Sequence, residues 1–397
     1  MYALMAILML IAGIGHLAIW TRLHCFFHAM PYRQWFIDAV ELCIYAMSFL
    51  IPVVYLVWWI QQPLHSEAAP NAALEYSVLY YCWFVYGTLC ATAFVLASLL
   101  WLFYLHEAHA SATYVEQRPL GRYDFGDVAD KMLADTTSRV ASMIPGNEIL
   151  QLEVNRKELF LPRLPEQLDG LTITHISDLH LKGHMSEAYY RKVVDQVNDL
   201  QSDLITIAGD IFDRDKCFSW STATLGQLTA PCGVYFVLGN HEMRTSDPNL
   251  ARKTLVDDGL IYLGGRHMTL LIREYPVVLA GNELPWHPPA PDMNTLDLAQ
   301  NDQLPFKLLV AHTPDQFGWA KSHDFDLMLA GHVHGGQIRV PGIGPIVSPS
   351  VHGTRYSCGV FYSAPTLMHV SRGISGTSPL RINCPPEITQ LVLRNDK

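Results

Sequence analysis

The chain has 397 residues, half of them hydrophobic and 16% charged, with a formal net charge of −10 at pH 7. That length suits one large domain plus a second element. With 37 acidic against 27 basic residues, it lacks the Lys and Arg excess that phosphate backbones demand, so no nucleic-acid partner is expected.

The apolar residues concentrate before residue 106. Residues 36–60 and 79–105 are each long enough to cross about 30 Å of hydrocarbon at about 1.5 Å per residue. Trp35, Trp58 and Trp59, then Tyr80, Tyr81, Trp83, Trp101 and Tyr104, stand at their ends, where amphipathic rings favour the headgroup layer. Residues 1–20 are apolar apart from His16 and lack the positive start and small-residue cleavage site of a secretory leader, so they read as a further span. Arg22 and Arg33 lie between the first two spans, and Arg118 and Arg122 follow the third. This bias predicts a multi-pass protein of the cell's inner membrane, with everything after residue 105 in the cytoplasm. The eight cysteines form no Cys-x-x-Cys pair, and Cys217, Cys232, Cys358 and Cys384 read as ordinary reduced residues of a cytosolic domain.

Residues 106–147 read as a linker in which Val128, Met132, Val140, Met143 and Ile144 could line one helix face, packed on the domain or lying on the membrane. Pro145-Gly146 ends it. Residues 148–397 form the expected second domain. Its opening strands, 149–154 and 158–161, are separated by the turn-like Asn155-Arg156-Lys157 and predict a hairpin. Strand 171–177 leads to Asp178-Leu179-His180, and a helix is expected over 186–200. Strand 203–208 leads to Gly209-Asp210-Ile211-Phe212-Asp213, and strand 233–238 to Gly239-Asn240-His241-Glu242. Strand 306–311 ends at His312. Strand 325–330 ends at Gly331-His332-Val333-His334-Gly335-Gly336-Gln337. Alternating strands and helices with polar residues at the strands' carboxyl ends describe an α/β sheet that presents a ligand.

Each motif alone is ordinary: a capping aspartate, a turn, a loop histidine. Five of them at five strand ends make a metal site. Imidazole outnumbers carboxylate in the set, which suits Mn, Fe or Zn better than Mg or Ca. Were a carboxylate of the set to bridge two such cations, they would lie about 3.5 to 4 Å apart, where a shared water loses a proton near neutral pH.

These five ordered blocks resemble those of the calcineurin-like metallophosphoesterases, and residues 370–374 and 386–388 are similar to a membrane-tethered bacterial branch. The resemblance implies a four-layer sandwich of two β-sheets flanked by helices, here preceded by the helical transmembrane region. It implies one metal held by Asp178, His180, Asp210 and His334 and another by Asp210, Asn240, His312 and His332, so that His332 and His334 serve different ions. It places His241 over the scissile phosphate, where an imidazolium could protonate the leaving oxygen. The implied partner is a phosphate ester. Relatives that cleave the pyrophosphate of UDP-2,3-diacylglucosamine make a lipid-linked substrate the first specific expectation. An anchored phosphodiesterase of soluble substrates and a non-catalytic scaffold are the alternatives.

Other polar residues carry weaker expectations. Asp213 is expected to bond backbone within its own turn. Arg339, Arg355, Arg372 and Arg381 are candidates for meeting a substrate phosphate. The proline-rich loop over 282–302 departs from the branch, whose members tend to have an acidic residue where this chain has Asn282.

Overall fold

The computed structural model describes residues 2–61, 70–296 and 304–395. The chain divides into two compact units, Met1–Glu107 and Ala108–Lys397. The first is built from helices α1 (Tyr2–His28), α2 (Gln34–Gln61) and α3 (Pro70–Ser111), the last of which runs on into the second unit. All three are long and apolar enough to cross a membrane, and their outward faces carry exposed Leu, Phe, Trp and Val side chains. In water such surface would be costly; in lipid it needs no cover.

The second unit opens with β1 (Val115–Asp124), α4 (Ala129–Met132) and α5 (Thr136–Ser142), followed by β2 (Gln151–Leu161) and β3 (Thr172–Ile176). Next come α6 (Glu187–Asp199), β4 (Leu204–Ala208), β5 (Val234–Val237), α7 (Pro248–Asp257), β6 (Ile261–Tyr262), β7 (His267–Ile272) and β8 (Tyr275–Asn282). The chain closes with β9 (Phe306–Ala311), α8 (Phe317–Ser322), β10 (Leu327–Ala330), the small β11 (Arg339–Val340) and β12 (Gly344–Pro345), β13 (Gly359–Ser363), β14 (Thr366–Val370) and β15 (Glu387–Asn395).

Two large mixed sheets result, with strand orders β1-β2-β15-β3-β4-β5-β6 and β13-β14-β10-β9-β8-β7. Alternation along the strands decides which side chain meets which layer. Ile173, Leu204, Tyr235 and Leu391 of the first sheet meet Leu279, Leu308, Val310 and Leu329 of the second in the middle of the domain. On the outer face of the first sheet, Ile205 and Ile207 pack with Tyr189, Val193 and Val197 of α6. Ser186 caps that helix by accepting from the Tyr189 N–H, and its apolar residues recur at helical spacing. On the outer face of the second sheet, Leu309 and Met328 pack with Phe317 and Ala320 of α8. The expected four-layer, helix-flanked α/β sandwich is therefore the fold.

Two expectations are corrected. The predicted hairpin over 149–161 is one continuous strand, because the supposed turn residues find partners inside the sheet. Lys157 pairs with Glu387 at 2.6 Å, Asn155 bonds the same carboxylate, and Arg156 bonds Gln390. The stretch expected to be a linker also contributes to the sheet: Val115 to Asp124 pairs antiparallel with β2. In the amphipathic segment Met132 is buried, whereas Val140, Met143 and Ile144 stand exposed.

Candidate functional site

The parallel strands β3, β4, β5, β9 and β10 end at one edge of the two sheets, and every predicted ligand follows one of those ends. The backbone turns sharply there. Asp178, His180, Asp210, His332 and His334 all have positive φ, from 48° to 71°, a conformation that costs a side-chain-bearing residue energy and persists where the surroundings enforce it. The enforcement is visible. His180 N–H donates to the Asp210 carbonyl at 2.9 Å and Asp178 N–H to the Gly209 carbonyl at 3.0 Å. His332 N–H donates to the Asp178 carboxylate at 2.9 Å, and His241 N–H to Asp210 Oδ1 at 2.8 Å. Glycine is required at two of the turns: a Cβ on Gly209 would lie 2.4 Å from His312 Nδ1, and one on Gly239 would lie 2.2 Å from Asp210 Oδ1.

Two donor groups share one carboxylate. Donor atoms of Asp178, His180, Asp210 and His334 lie within 4.8 Å of one another, as do those of Asp210, His312 and His332. Asn240 joins the second group, its Oδ1 3.1 Å from His312 Nε2. His312 hydrogen-bonds the Ala208 carbonyl through Nδ1 at 2.8 Å; donating there turns Nε2 to Asp210 Oδ1 at 3.3 Å, where a bound cation would take the place of its proton. His180 bonds Asp213 through Nδ1 at 2.8 Å, and its Nε2 stands 3.1 Å from His334 Nε2. A proton on one of these nitrogens makes the contact a hydrogen bond, and a cation between them would serve both lone pairs.

Charge and burial point the same way. Burial lowers His332 and His334 well below the usual imidazole value, so both rings are neutral, the form that donates a lone pair. Burial raises the Asp178 carboxyl to about 6. It acts in the same direction on Asp210, but the charges of His312 and His241 prevail and hold that carboxyl well below its ordinary range. At His312 burial is outweighed by Asp210, and the ring is raised to about 9. Asp210 Oδ2, both ring nitrogens of His332 and His334 Nδ1 are buried without a hydrogen-bond partner among the described residues. Buried polar atoms without partners are costly. This mixed N/O set sharing one carboxylate fits a pair of divalent cations.

His241 stands beside this set, its ring 4.3 Å from that of His180. Burial lowers its pKa against the pull of Asp210 and Asp213. The Asp213 carboxylate takes His180 Nδ1 on one oxygen at 2.8 Å and His241 Nδ1 on the other at 2.9 Å. The expectation that Asp213 bonds its own turn is thus corrected: its carboxylate holds the Nδ1 atoms of His180 and His241. Sequence reasoning also missed Glu242, which accepts from the N–H groups of Ile211, Phe212 and Gly239 and ties two of the loops together. It missed Trp286, whose ring lies 4.8 Å from His332 and 5.5 Å from His312. It missed Glu283 as well, a buried acid one residue past Asn282 that accepts from Leu238 N–H and the Tyr262 hydroxyl. The 282–302 loop supplies Trp286 and Glu283; its part beyond residue 296 lies outside the described residues.

The four candidate arginines are largely committed elsewhere. Arg372 pairs with Glu153 and Glu387, and buried Arg381 donates to the carbonyls of Cys384, Arg372 and Ser375. Arg339 donates to the Gly335 carbonyl, and Arg355 lies over Tyr356.

Comparison with known proteins agrees with this geometry. Residues 171–336 match the model of the calcineurin-like phosphoesterases. Over 230 residues the chain is 30% identical to the phosphodiesterase YaeI of Escherichia coli, covering 56% of this chain and 81% of that one. The chain belongs to the calcineurin-like phosphoesterase family. Another member, the metallophosphoesterase YkuE of Bacillus subtilis, is 29% identical over 244 residues, covering 58% of this chain and 82% of its own. The UDP-2,3-diacylglucosamine pyrophosphatase LpxG of Chlamydia muridarum is 25% identical over 294 residues, covering 60% of this chain and 88% of its own. Membership makes the chain a metal-dependent phosphoester hydrolase, and its buried Asp and His cluster is of the kind the family's two-metal centre requires.

Proposed function

We propose that this protein is a membrane-anchored two-metal phosphoesterase whose substrate is an amphiphilic, lipid-linked phosphate or pyrophosphate. The shared carboxylate of Asp210, with unpartnered donor atoms around it, carries the catalytic part of the reading. Asp178, His180, Asp210 and His334 would hold one cation; Asp210, Asn240, His312 and His332 the other. Bound there, Mn, Fe or Zn would polarise a phosphoryl oxygen and bring the pKa of water towards neutrality. His312 and His180 are locked with Nε2 facing inward by Ala208 and Asp213 respectively. His241 delivers a proton from Nε2 to the leaving oxygen, while Asp213 accepts from Nδ1 and supports the positive charge on the ring. Trp286 covers the His312 and His332 side and keeps bulk water from it.

The lipid part rests on the surface near the site. Val140, Met143 and Ile144 beyond α5, and Ile338, Ile343 and Ile346 around β11 and β12, are all exposed. Ile382 bridges to both Asn147 and Ile338, which brings the two groups into one neighbourhood, a few residues along the chain from His334. An aliphatic rim of this kind suits contact with acyl chains. Next to Trp286 a cavity of about 400 Å³, lined by Arg252, Tyr262, Arg266, His287 and the acid Glu283, offers room for a non-reacting, polar part of the substrate. Both guanidinium groups lie over the Tyr262 ring, at 5.3 and 5.1 Å.

The three apolar helices would keep the domain among lipid headgroups, at high effective substrate concentration, and the arginine bias supports a cytoplasmic domain at the inner membrane. UDP-2,3-diacylglucosamine, hydrolysed by the relative LpxG, is the first compound to test. The full-length protein with Mn²⁺ is assayed against that lipid and against a soluble aryl phosphodiester. Faster turnover of the lipid is expected. Activity confined to the soluble compound would overturn the lipid assignment, and no activity on either would overturn the hydrolase reading.

A further inference from the structure

The N-terminal unit holds a second group of metal-type side chains. His24 and His28 are one turn apart near the end of α1, so their rings project from the same face. That face meets Glu41, in the second turn of α2. Donor atoms of the three residues lie within 4.8 Å of one another, the ring centroids of His24 and His28 are 4.2 Å apart, and His28 Nε2 is 3.8 Å from Glu41 Oε2.

The surroundings prepare this group for a cation. The Tyr45 hydroxyl donates to Glu41 Oε1 at 2.7 Å. It thereby fixes the carboxylate and leaves Oε2 to face the histidines, as outer partners of metal ligands do. The Tyr45 ring also stacks on His24, at 5.9 Å between centroids and 25° between planes. His24 Nδ1 is buried and has no hydrogen-bond partner among the described residues. In tetrahedral coordination at about 2.0 to 2.1 Å, donor atoms sit roughly 3.4 Å apart. The His28 to Glu41 separation is already close to that, and small side-chain rotations close the rest.

We propose that His24, His28 and Glu41 form a binding site for zinc or a similar borderline divalent cation, additional to the catalytic pair. Two imidazoles and one carboxylate suit such an ion and leave a fourth position open to water. The site bridges α1 and α2 across the short connection at residues 29–33. Bound zinc therefore holds those helices together, because separating them destroys the donor set.

The test uses the full-length protein in detergent, stripped with chelator, dialysed against Zn²⁺ and analysed for metal by mass spectrometry. Wild type is expected to retain one zinc per chain more than the variant carrying His24→Ala and His28→Ala, whatever the catalytic centre retains. Hydrolysis of a soluble aryl phosphodiester is expected to be the same in both, which reports an intact catalytic domain. Equal zinc content overturns the proposal. Glu41→Gln, which preserves the packing of α1 on α2, guards against misfolding of the double variant. Loaded with Co²⁺, wild type should show one equivalent more of ligand-field absorption than Glu41→Gln, and identical spectra overturn the proposal equally.

Discussion

Asp213 offers the sharpest probe of the centre, because one carboxylate serves two imidazoles with different tasks. Asp213→Asn keeps the volume but replaces two acceptors with one oxygen and one NH₂ group. One ring keeps its acceptor, and the other meets a donor and must adopt the opposite tautomer, with its hydrogen on Nε2. At His180 that removes the lone pair facing His334; at His241 it removes the support for a positively charged ring. The native carboxylate is ionised: burial opposes this, but His241 and His180 hold it well below its ordinary range. Losing such an outer partner typically costs about 10- to 100-fold in metal affinity or activity, which corresponds to about 1.4 to 2.7 kcal/mol. Whichever ring meets the donor, one readout should fall by such a factor: Mn²⁺ affinity by about ten-fold if it is His180, or kcat by about 100-fold with little change in KM if it is His241. Mn²⁺ titration of the chelator-stripped enzyme, read by turnover of an aryl phosphodiester, measures both. Affinity and kcat within about two-fold of wild type would show that Asp213 does not orient these rings.

Other perturbations address separate parts of the structure. Asn240→Ala removes the oxygen beside His312 Nε2 and should lower both metal content and hydrolysis; a variant retaining both would overturn the ligand assignment. Trp286→Ala uncovers His312 and His332, and a rise in KM by several-fold, larger for a bulky substrate than for a small one, is expected from steady-state kinetics. Lysine in place of Met143 and Ile343, both exposed, should slow turnover of the diacyl lipid and leave the aryl phosphodiester rate unchanged; equal effects on both would detach the rim from substrate choice. The buried polar network should also make stability depend on pH. Burial lowers His175 to about 3 and His369 well below its ordinary value, so the unfolded chain takes up protons that the folded one refuses, and stability falls as pH drops below about 6.5. Burial would raise Glu387, but Lys157 and Arg372 hold it well below its ordinary range, so its contribution persists above about pH 4.3 and is lost on further acidification. A thermal midpoint, measured in detergent, that stayed flat from pH 7.5 to 5 would contradict the histidine part.

The strand ends were legible because they combine two local signals, a short apolar run and an abrupt change to glycine and metal-type residues. Strands β3, β4, β5, β9 and β10 and the seven candidate ligands could therefore be read from residues near one another in the sequence. What escaped depends on distant pairing. Asn155-Arg156-Lys157 looks like a turn until Glu387 and Gln390 are seen opposite it. The polar stretch forming β1 has mostly exposed side chains and no apolar alternation, so nothing local marks it as a strand. Asp213 and Glu242 stand inside the motif blocks and Trp286 in the proline-rich loop, but what each bonds or covers follows from neighbours brought close by the turns. The departure at Asn282 was readable, but its sequel, Glu283 reaching Leu238 and Tyr262, was not.

The place of β15 bears on how the protein is made. Residues 387–395 lie between β2 and β3, pairing parallel with one and antiparallel with the other. During synthesis the larger sheet must wait, with an interior position vacant, until some 230 intervening residues have left the ribosome. Until then Lys157 lacks its carboxylate and two strand edges remain unpaired, the condition in which chains associate wrongly. If the helices enter the bilayer first, that waiting chain is already confined to a surface beside its neighbours until residues 387–395 are made.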